Sequence, residues 1–485
     1  MVWPKRSFCA ANLTLLCFFV DGCAVGPNYV APKPQVPASF TEAAADTSKT
    51  QPVDDAWWKN FGDPVLEALL AQALKSAPDI AEAQARVREA RAITGIAGAN
   101  RLPTADAGSL YTRNLGSENV PTGVRPGGLG PGVHSSLWQA GFDASWEIDV
   151  FGGERRAIEA AEANYQSVTD DRADVVVTLL AEVARDYIEL RGAQRRIEVA
   201  RKNLAIDQDF QTLTQSLLAA GLAPQQDLLR AEAQVFNIEA AILDFETDER
   251  AAGYRIAALI GEPFAGITAE LSLPRAIPHA VSNVPVGLPS ELLLRRPDLR
   301  AAERRIAAAN ARIGIAKADL YPHFSLTGAV GIESLNLPSF FSASSGYYQL
   351  GPGVRWRIFD AGRIRFQILA ESARTDAAAA AYRKSVLDAF RDVETALVAY
   401  ANTQSRREKL AAESEADAEA TTIAKLLYER GVESFLPVLD AERSLYAADD
   451  ELAQSERDSA LALIALYKSL GGGWRSAGAS VPGTD

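Results

Sequence analysis

A cysteine near the amino terminus is the residue whose surroundings most clearly predict chemistry. Lys5 and Arg6 precede a short, mostly apolar stretch, which is typical of a secretory signal peptide rather than a membrane-spanning helix. A glycine stands immediately before Cys23, as a small residue does at a lipoprotein cleavage site. We therefore predict that residues 1–22 are a lipoprotein signal peptide and that Cys23 carries acyl chains. Asp21 is unusual in such a site, and ordinary cleavage that leaves a free thiol is the alternative.

The other residues that could support catalysis or bind a metal are few and scattered. Cys9 and Cys17 fall in the predicted signal peptide, so we expect neither a disulfide nor a cysteine metal site. The histidines at 134, 279 and 323 are far apart in the sequence, and ion pairing along helices accounts for the carboxylates. The sequence therefore predicts no enzyme, no cofactor and no metal site, and a net charge of -13 does not favour nucleic acid.

The composition is that of a folded protein, with 48% hydrophobic and 23% charged residues. After the signal peptide there is no apolar run of about 18 residues, the length that a membrane-spanning helix needs. If this exported chain crosses a membrane, it must therefore do so as strands of a closed barrel.

An internal duplication decides the predicted architecture. Residues 77–103 match residues 296–322 at a constant offset of 219, and a second ungapped match at an offset of 210 pairs Gly221 with Gly431. The chain is therefore a tandem repeat. The predicted divisions are an anchor and linker at 23–55, the first repeat at 56–270, a linker at 271–289, the second repeat at 290–473, and a flexible tail at 474–485.

Each repeat has the same predicted order of helix, β-hairpin, long helix and return helix. The proline-free stretches 154–219 and 364–430 predict helices about 100 Å long at ~1.5 Å per residue. Each long helix turns at a glycine and returns as a helix of about 35 residues, ending near Gly261 or Gly471. The preceding segments are a helix at 64–100 and a hairpin at 103–149 in the first repeat, and a helix at 290–320 and a hairpin at 322–359 in the second.

Apolar residues in the long helices follow alternating steps of four and three, which is the seam of a coiled coil. We therefore expect the long helices to pack along most of their length. The seam residues are Val176, Leu180, Val183, Tyr187, Leu190, Ile197 and Leu204 in the first repeat, and Tyr382, Val386, Phe390, Val393, Leu397 and Tyr400 in the second.

The hairpin segments alternate apolar and polar residues with period two. The alternation runs over 137–148, 323–332 and 348–358. This alternation is compatible with a soluble sandwich as well as with a membrane barrel. Aromatic residues at the strand ends resemble the interfacial girdles of a barrel and therefore favour the barrel. These interfacial aromatics are Trp138, Trp146, Tyr348 and Trp356.

Two hairpins give four strands per chain, which are too few to close, because membrane barrels have at least about eight strands. Three chains would supply twelve. The predicted fold class is therefore mixed: a membrane β-barrel shared between subunits, with four strands per chain and twelve in a trimeric barrel, joined to a long α-helical coiled-coil barrel.

Four sequence blocks resemble one known family over nearly the whole mature chain. The chain is similar to the TolC-like outer-membrane factors, in particular to the OprM-type and NodT-type outer-membrane efflux lipoproteins. The blocks are CAVGPNY at 23–29, WWKNFGDP at 57–64, RRPDLRAAE at 295–303 and ADLYP at 318–322.

The resemblance implies a homotrimeric channel in the outer membrane of a Gram-negative bacterium, anchored by lipid and extended into the periplasm by a tunnel of helices. Such a channel is the exit duct of a tripartite efflux pump for drugs or other small molecules. Its partners would be a periplasmic adaptor and an inner-membrane transporter, expected to be proton-driven. A duct for type I protein secretion is one alternative, and a periplasmic coiled-coil adaptor is another.

The resemblance also implies two functional regions at the glycine turns. The adaptor-docking tips would be Ala220-Gly221-Leu222 and Arg430-Gly431-Val432, where the alternative is that glycine only ends a helix. The periplasmic gate would use Tyr428 and Arg430 together with Asp440, nine residues after Gly431. Threefold symmetry would make Asp440 a ring of three carboxylates that holds cations, whereas the alternative is a solvated helix face.

Overall fold

Long helices and one four-stranded antiparallel sheet make up the protein. The computed structural model describes residues 24–42, 55–119, 133–278 and 287–475. Within these residues no helix combines the length and the apolar character needed to cross a membrane. The elements of the first repeat are α1 Pro64–Ser76, α2 Pro78–Ala99, β1 Thr104–Leu115, β2 His134–Ile148, α3 Gly153–Ala219, α4 Gln225–Ile260 and α5 Phe264–Leu271. Those of the second are α6 Pro289–Arg295, α7 Pro297–Ala318, β3 His323–Ser334, β4 Gly346–Arg355, α8 Arg363–Glu429 and α9 Phe435–Ser469.

The two long helices lie where the proline-free stretches predict them. Both α3 and α8 have 67 residues. The start of α3 differs from the predicted bound by one residue, and both ends of α8 do so. The return helices α4 and α9 have 36 and 35 residues, close to the expected length. Charged residues that pair along the exposed faces, such as Arg195 with Glu198, are compatible with continuous helices of this length.

The prediction of one continuous helix over 64–100 was wrong, and so was the prediction of one over 290–320. Each is two helices, because Pro78 and Pro297 have no amide hydrogen and exclude the helical conformation for the residue before them. Ala77 accordingly has ψ 129° and Arg296 has ψ 117°. The same break therefore occurs in both repeats.

The sheet has the order β1-β2-β3-β4, and all its pairs are antiparallel. The expected hairpin in each repeat is present, with Leu115 opposite His134 and Ile332 opposite Gly346. The pairing of β2 with β3 joins the two repeats. The alternation predicted to continue to 358 was wrong beyond Arg355, where β4 ends.

The chain divides into two compact units, and each unit contains parts of both repeats. The first unit comprises 1–32, 88–167 and 303–381 and contains all four strands. The second comprises 33–87, 168–302 and 382–485 and contains the turns that follow the long helices. The compact units therefore cut across the division into repeats that the sequence suggests.

The main apolar core of the second unit explains the WWKNFGDP block. Trp57 is 1% exposed and stacks on Tyr467 with ring centroids 5.3 Å apart. Asp63 caps α1 by accepting a hydrogen bond from the amide of Val65 at 2.8 Å, and it also accepts one from the hydroxyl of Tyr187 at 2.5 Å. The block therefore fastens the start of the first repeat to α3.

The predicted coiled-coil seam is largely buried. In α3 the buried seam residues are Val176, Leu180, Val183, Tyr187, Leu190 and Ile197, and in α8 they are Tyr382, Val386, Val393 and Tyr400. Leu204, Phe390 and Leu397 are only partly buried. The spacing of four and three thus identified the packed faces of both helices.

Candidate functional site

The turn after α3 is a glycine-dependent helix end that presents an apolar side chain. Gly221 has φ 73°, and the amide of Leu222 donates to the carbonyl of Leu217 at 2.8 Å, the pattern of a Schellman motif. A Cβ at Gly221 would meet no atom within 4 Å, so the conformation rather than crowding requires glycine. Ala220 is exposed, and Leu222 is 75% exposed.

The turn after α8 repeats this geometry. Gly431 has φ 68°, and the amide of Val432 donates to the carbonyl of Leu427 at 2.9 Å. Val432 is 66% exposed, and Arg430 is exposed beside it. Two equivalent turns, each with an exposed branched apolar residue after its glycine, therefore occur in the same compact unit. We refer to them as the two tips.

An aromatic cluster lies next to the tips. Phe210 stacks on Phe435 with ring centroids 5.3 Å apart and contacts the ring of Tyr428 at 5.5 Å. Val438 and Leu439 pack in the same cluster, which we call the tip core. Tyr428, predicted as a gate residue, is therefore 9% exposed here, and burial raises its pKa.

Asp440 has the opposite environment. It follows the buried residues Val438 and Leu439 on α9, and its own side chain is exposed. An exposed carboxylate at this position is available to a pore or to solvent. The predicted gate residues therefore differ in burial: Tyr428 lies in the tip core, whereas Arg430 and Asp440 lie on the surface.

A group of polar residues beside the tip core was not predicted from the sequence. Asp207 on α3, Gln234 on α4 and Glu442 on α9 are buried, and Lys425 on α8 is partly buried beside them. We call this group the buried charge cluster. Burial is the main cause that raises the pKa of Asp207 to about 7, and the nearby carboxylate of Glu442 adds to it. The predicted seam gave no signal for this cluster, because steps of four and three from Leu204 lead to Gln208 and Gln211. The buried face of α3 instead passes through Asn203, Asp207, Phe210 and Thr214.

The segment after the predicted lipid attachment site is held in the first compact unit. Cys23 itself lies outside the described residues, but the amide of Val25 donates to the carbonyl of Phe151 at 3.0 Å. The guanidinium of Arg156 donates to the carbonyl of Val25 at 3.1 Å and to the side chain of Asn28 at 2.8 Å. Residues 24–29 are therefore fixed against the start of α3.

Two glycines permit this segment to approach α7. Gly26 has φ 98°, and a Cβ placed there would lie 2.6 Å from the Cα of Gly314. The side chain of Asn310 donates to the carbonyl of Pro27 at 3.0 Å, and the hydroxyl of Tyr29 donates to Glu303 at 2.9 Å. The positive φ of Gly26 and its close approach to α7 therefore explain the glycine in the CAVGPNY block.

The four predicted interfacial aromatics have two kinds of environment. The indole Nε1 of Trp146 donates to the carbonyl of Arg101 at 2.8 Å, and that of Trp356 donates to the carbonyl of Leu320 at 3.0 Å. These equivalent bonds fix both rings beside the ends of the hairpins. Trp138 is half-buried with its ring 4.2 Å from that of Tyr111, and Tyr348 is 86% exposed.

One face of the sheet exposes large apolar residues. Phe142 lies opposite Val330, which lies opposite Tyr348, and their exposures are 64%, 55% and 86%. On the other face, the side chain of Gln139 donates to the hydroxyl of Tyr347 at 3.0 Å. The sheet is therefore amphipathic with its apolar side uncovered.

No metal-binding geometry is found among the described residues. They contain no group of three or more His, Cys, Asp or Glu side chains that could hold a metal ion. His279 lies outside them. His323 is engaged with the carboxylate of Glu147, 2.6 Å from its Nδ1.

Comparison with known proteins shows the family. The model of the family described as outer membrane efflux protein matches residues 69–262 and 288–472. The pyoverdine export outer membrane protein OpmQ of Pseudomonas aeruginosa is 32% identical over 468 residues, which cover 96% of this chain and 97% of that protein. The toluene efflux pump outer membrane protein TtgF of Pseudomonas putida is 31% identical, covering 94% of this chain and 95% of that protein.

A solved structure shows the same relationship. The outer-membrane channel OprN is 35% identical to this chain with a TM-score of 0.86, covering 93% of this chain and all of that one. The resemblance drawn from the four sequence blocks is thereby confirmed. The chain belongs to the outer membrane efflux protein family and is the outer-membrane exit duct of an efflux pump.

Proposed function

We propose that three copies of this chain form a channel through which small molecules leave the periplasm, with a twelve-stranded barrel in the outer membrane. The observation that carries the proposal is the amphipathic four-stranded sheet, in which β1 and β4 each have a neighbour on one side only. Open edges with free backbone groups are unfavourable in lipid, and pairing β1 of one copy with β4 of the next removes them. The uncovered apolar face would then contact lipid.

The interfacial aromatics fit this arrangement. Trp146 and Trp356 keep their indole N–H groups bonded to backbone carbonyls and leave the rest of each ring beside the ends of the hairpins. Indole rings of this kind favour the boundary between lipid and water. Trp138 and Tyr348 belong to the same apolar face of the sheet and would lie toward its other end.

We place the lipid anchor at Cys23. The segment directly after it is fixed beside Phe151, immediately beyond the end of β2. An acyl chain on Cys23 would therefore enter the membrane at the level where the strands end. The short fixed connection supports an anchor that holds the channel at a defined depth.

The two tips are the proposed docking surface for a periplasmic adaptor, and an inner-membrane transporter would complete the pump. Leu222 and Val432 supply exposed apolar side chains on equivalent, rigid turns. The relatives are named for the export of pyoverdine and toluene, which supports a small-molecule cargo. A proton-driven transporter is part of the proposal. Arg430, Tyr428 and Asp440 are the proposed gate beside the tips.

Site-specific crosslinking in cells tests the docking surface. A photo- or thiol-reactive crosslinker at Leu222→Cys or Val432→Cys should capture an adaptor together with a proton-driven transporter. The matched control is Glu408→Cys, which is exposed on α8 outside the tips and should not capture it. Capture with an ATP-driven exporter would instead indicate protein secretion, and no capture by a folded, correctly exported channel would contradict docking at the tips.

A further inference from the structure

The buried charge cluster brings one polar side chain from each of four helices to a single place. Asp207, Gln234 and Glu442 are 6%, 6% and 8% exposed. The ammonium of Lys425 lies 2.8 Å from Oε1 of Glu442. Because α3 and α4 belong to the first repeat and α8 and α9 to the second, the cluster joins the two repeats beside the tips.

Two hydrogen bonds link Asp207 to Arg443 through the side chain of Gln234. The guanidinium of Arg443 donates to Oε1 of Gln234 at 3.5 Å, which leaves the amide nitrogen of Gln234 to donate to Asp207. Arg443 is exposed and contacts the amide rather than a carboxylate. The charged groups that face Asp207 are therefore Glu442 from α9 and Lys425 from α8, while α4 contributes only the neutral Gln234.

The charges do not balance when both carboxyl groups are ionised. One ammonium, whose side chain is 24% exposed, faces two buried carboxylates, so one uncompensated negative charge would remain buried. A bound proton removes this cost. The amide nitrogen of Asn203, one turn before Asp207 on α3, is buried without a hydrogen-bond partner, so the polar groups here are not fully satisfied.

The cluster is continuous with the tip core. The ammonium of Lys425 lies 5.9 Å from the ring centroid of Phe210, the aromatic residue that stacks on Phe435. Lys425 precedes Tyr428 by three residues, and Leu439 precedes Glu442 by three, so each pair shares a helix face. A change in packing at the cluster is therefore transmitted directly to the residues beside both tips.

We propose that the buried charge cluster is a proton-operated lock on the tips, in which a proton on Asp207 keeps the helices of the two repeats packed together. This inference rests on the proposed function of the tips. Loss of the proton leaves two carboxylates with one ammonium, and the helices separate more readily. The role of Asp207 is thus positioning: it acts on the tips through the packing of four helices.

The direction of the pH effect follows from linkage. A carboxyl group whose pKa is higher in the packed state than in the separated state stabilises the packed state at low pH. That stabilisation decreases as the pH rises from the ordinary range of an aspartate toward neutrality, and it is lost above about 7. The lock is therefore closed in a mildly acidic periplasm and weakened at alkaline pH.

Hydrogen exchange of the intact channel in detergent tests the lock without requiring transport. After correction for the intrinsic pH dependence of exchange, the α3 and α8 segments beside the tips should exchange about tenfold faster at pH 8 than at pH 6. Asp207→Asn, which mimics the protonated carboxyl, should abolish this difference. The control Asp209→Asn removes an exposed carboxylate two residues away and should retain it.

A second variant keeps the test decisive if Asp207→Asn does not fold. Glu442→Gln removes the neighbouring negative charge and should move the pH at which exchange increases to a lower value. Equal exchange at both pH values in the natural chain, or a response unchanged in Glu442→Gln, would overturn the lock.

Conductance in planar bilayers separates failure of the lock from failure of the proposed function. A lock that acts on the tips should give a higher open probability at pH 8 than at pH 6, with Asp207→Asn independent of pH. A conducting channel whose opening and exchange do not depend on pH would contradict the lock alone. Absence of conductance at every pH would contradict the proposed channel.

Discussion

The two long helices are products of one duplication, yet their surroundings differ. Both have 67 residues. No large hydrophobic residue of α3 is exposed, whereas six on α8 are: Phe366, Leu369, Leu387, Val398, Ile423 and Leu426. The seam at Val183 and its equivalent Val393 is fully buried in both helices. The repeats have thus kept one packed face, and α8 has a second apolar face that the chain itself does not cover.

The difference indicates which helix faces a neighbouring copy. Six exposed apolar side chains along one helix are unfavourable in water unless a partner covers them. In the proposed trimer, α8 would contact the next chain while α3 stabilises its own. Substitutions in α3 should therefore affect the folding of the chain, and substitutions in α8 should affect assembly.

The largest effect is expected from a cavity in α3. Leu180 is fully buried, so Leu180→Ala should lower the free energy of unfolding by about 3 kcal/mol, through lost burial and an incompletely filled cavity. Thermal unfolding followed by circular dichroism measures this change. Leu243→Ala, at a residue 64% exposed on α4, is the matched control and should lower the free energy of unfolding by less than about 0.5 kcal/mol.

A charge on the uncovered face of α8 should act on assembly. Leu387→Glu should leave the helical content unchanged but shift the chain from trimer toward monomer, because burying an unpaired carboxylate in an interface is costly. Native mass spectrometry in detergent gives the distribution. Val398→Glu should behave similarly, and a fully trimeric Leu387→Glu variant would show that this face is not at the interface.

A smaller loss is expected from the hydrogen bond between Tyr187 and Asp63. Tyr187→Phe removes the hydroxyl that donates to this carboxylate at 2.5 Å, which should cost about 1–2 kcal/mol. Burial and the hydrogen bond to Asp63 raise the pKa of Tyr187, so the hydroxyl stays protonated at neutral pH. Denaturant unfolding measures the effect, and Tyr254→Phe, on a residue 55% exposed, should have almost none.

The smallest losses of stability are expected from substitutions of the two tip glycines. Equal losses would show that the duplicated halves have not diverged at the tips. Gly221→Ala and Gly431→Ala should each cost about 1 kcal/mol, because both positions have positive φ. Added methyl groups meet no atom at either site, so no steric term should distinguish them. Asparagine should be tolerated better than alanine at both. Unequal losses in thermal unfolding would mean that one tip makes contacts the other lacks.

Local patterns along the chain were enough to predict the elements and their order. The offset matches established the duplication, the absence of proline established the long helices, and the alternation established the hairpins, because each is a property of local periodicity. Of the two misplaced features, the helix break at Pro78 and at Pro297 could also be predicted locally, since proline restricts the residue before it. The end of β4 at Arg355, before the predicted end of the alternation, was the other. The tips were predicted because glycine at a helix end has a local cause, a positive φ.

The burial of individual polar and aromatic side chains near the tips became evident only in the folded chain. Tyr428 and Asp440 were both predicted for the gate, but packing places the first in the tip core and leaves the second exposed. The buried charge cluster was invisible in the sequence, because its parts come from four helices and contacts such as that of Arg443 with Gln234 span 209 residues. Periodicity specifies which face of a helix is apolar, whereas the burial of a charge depends on partners that only folding brings together.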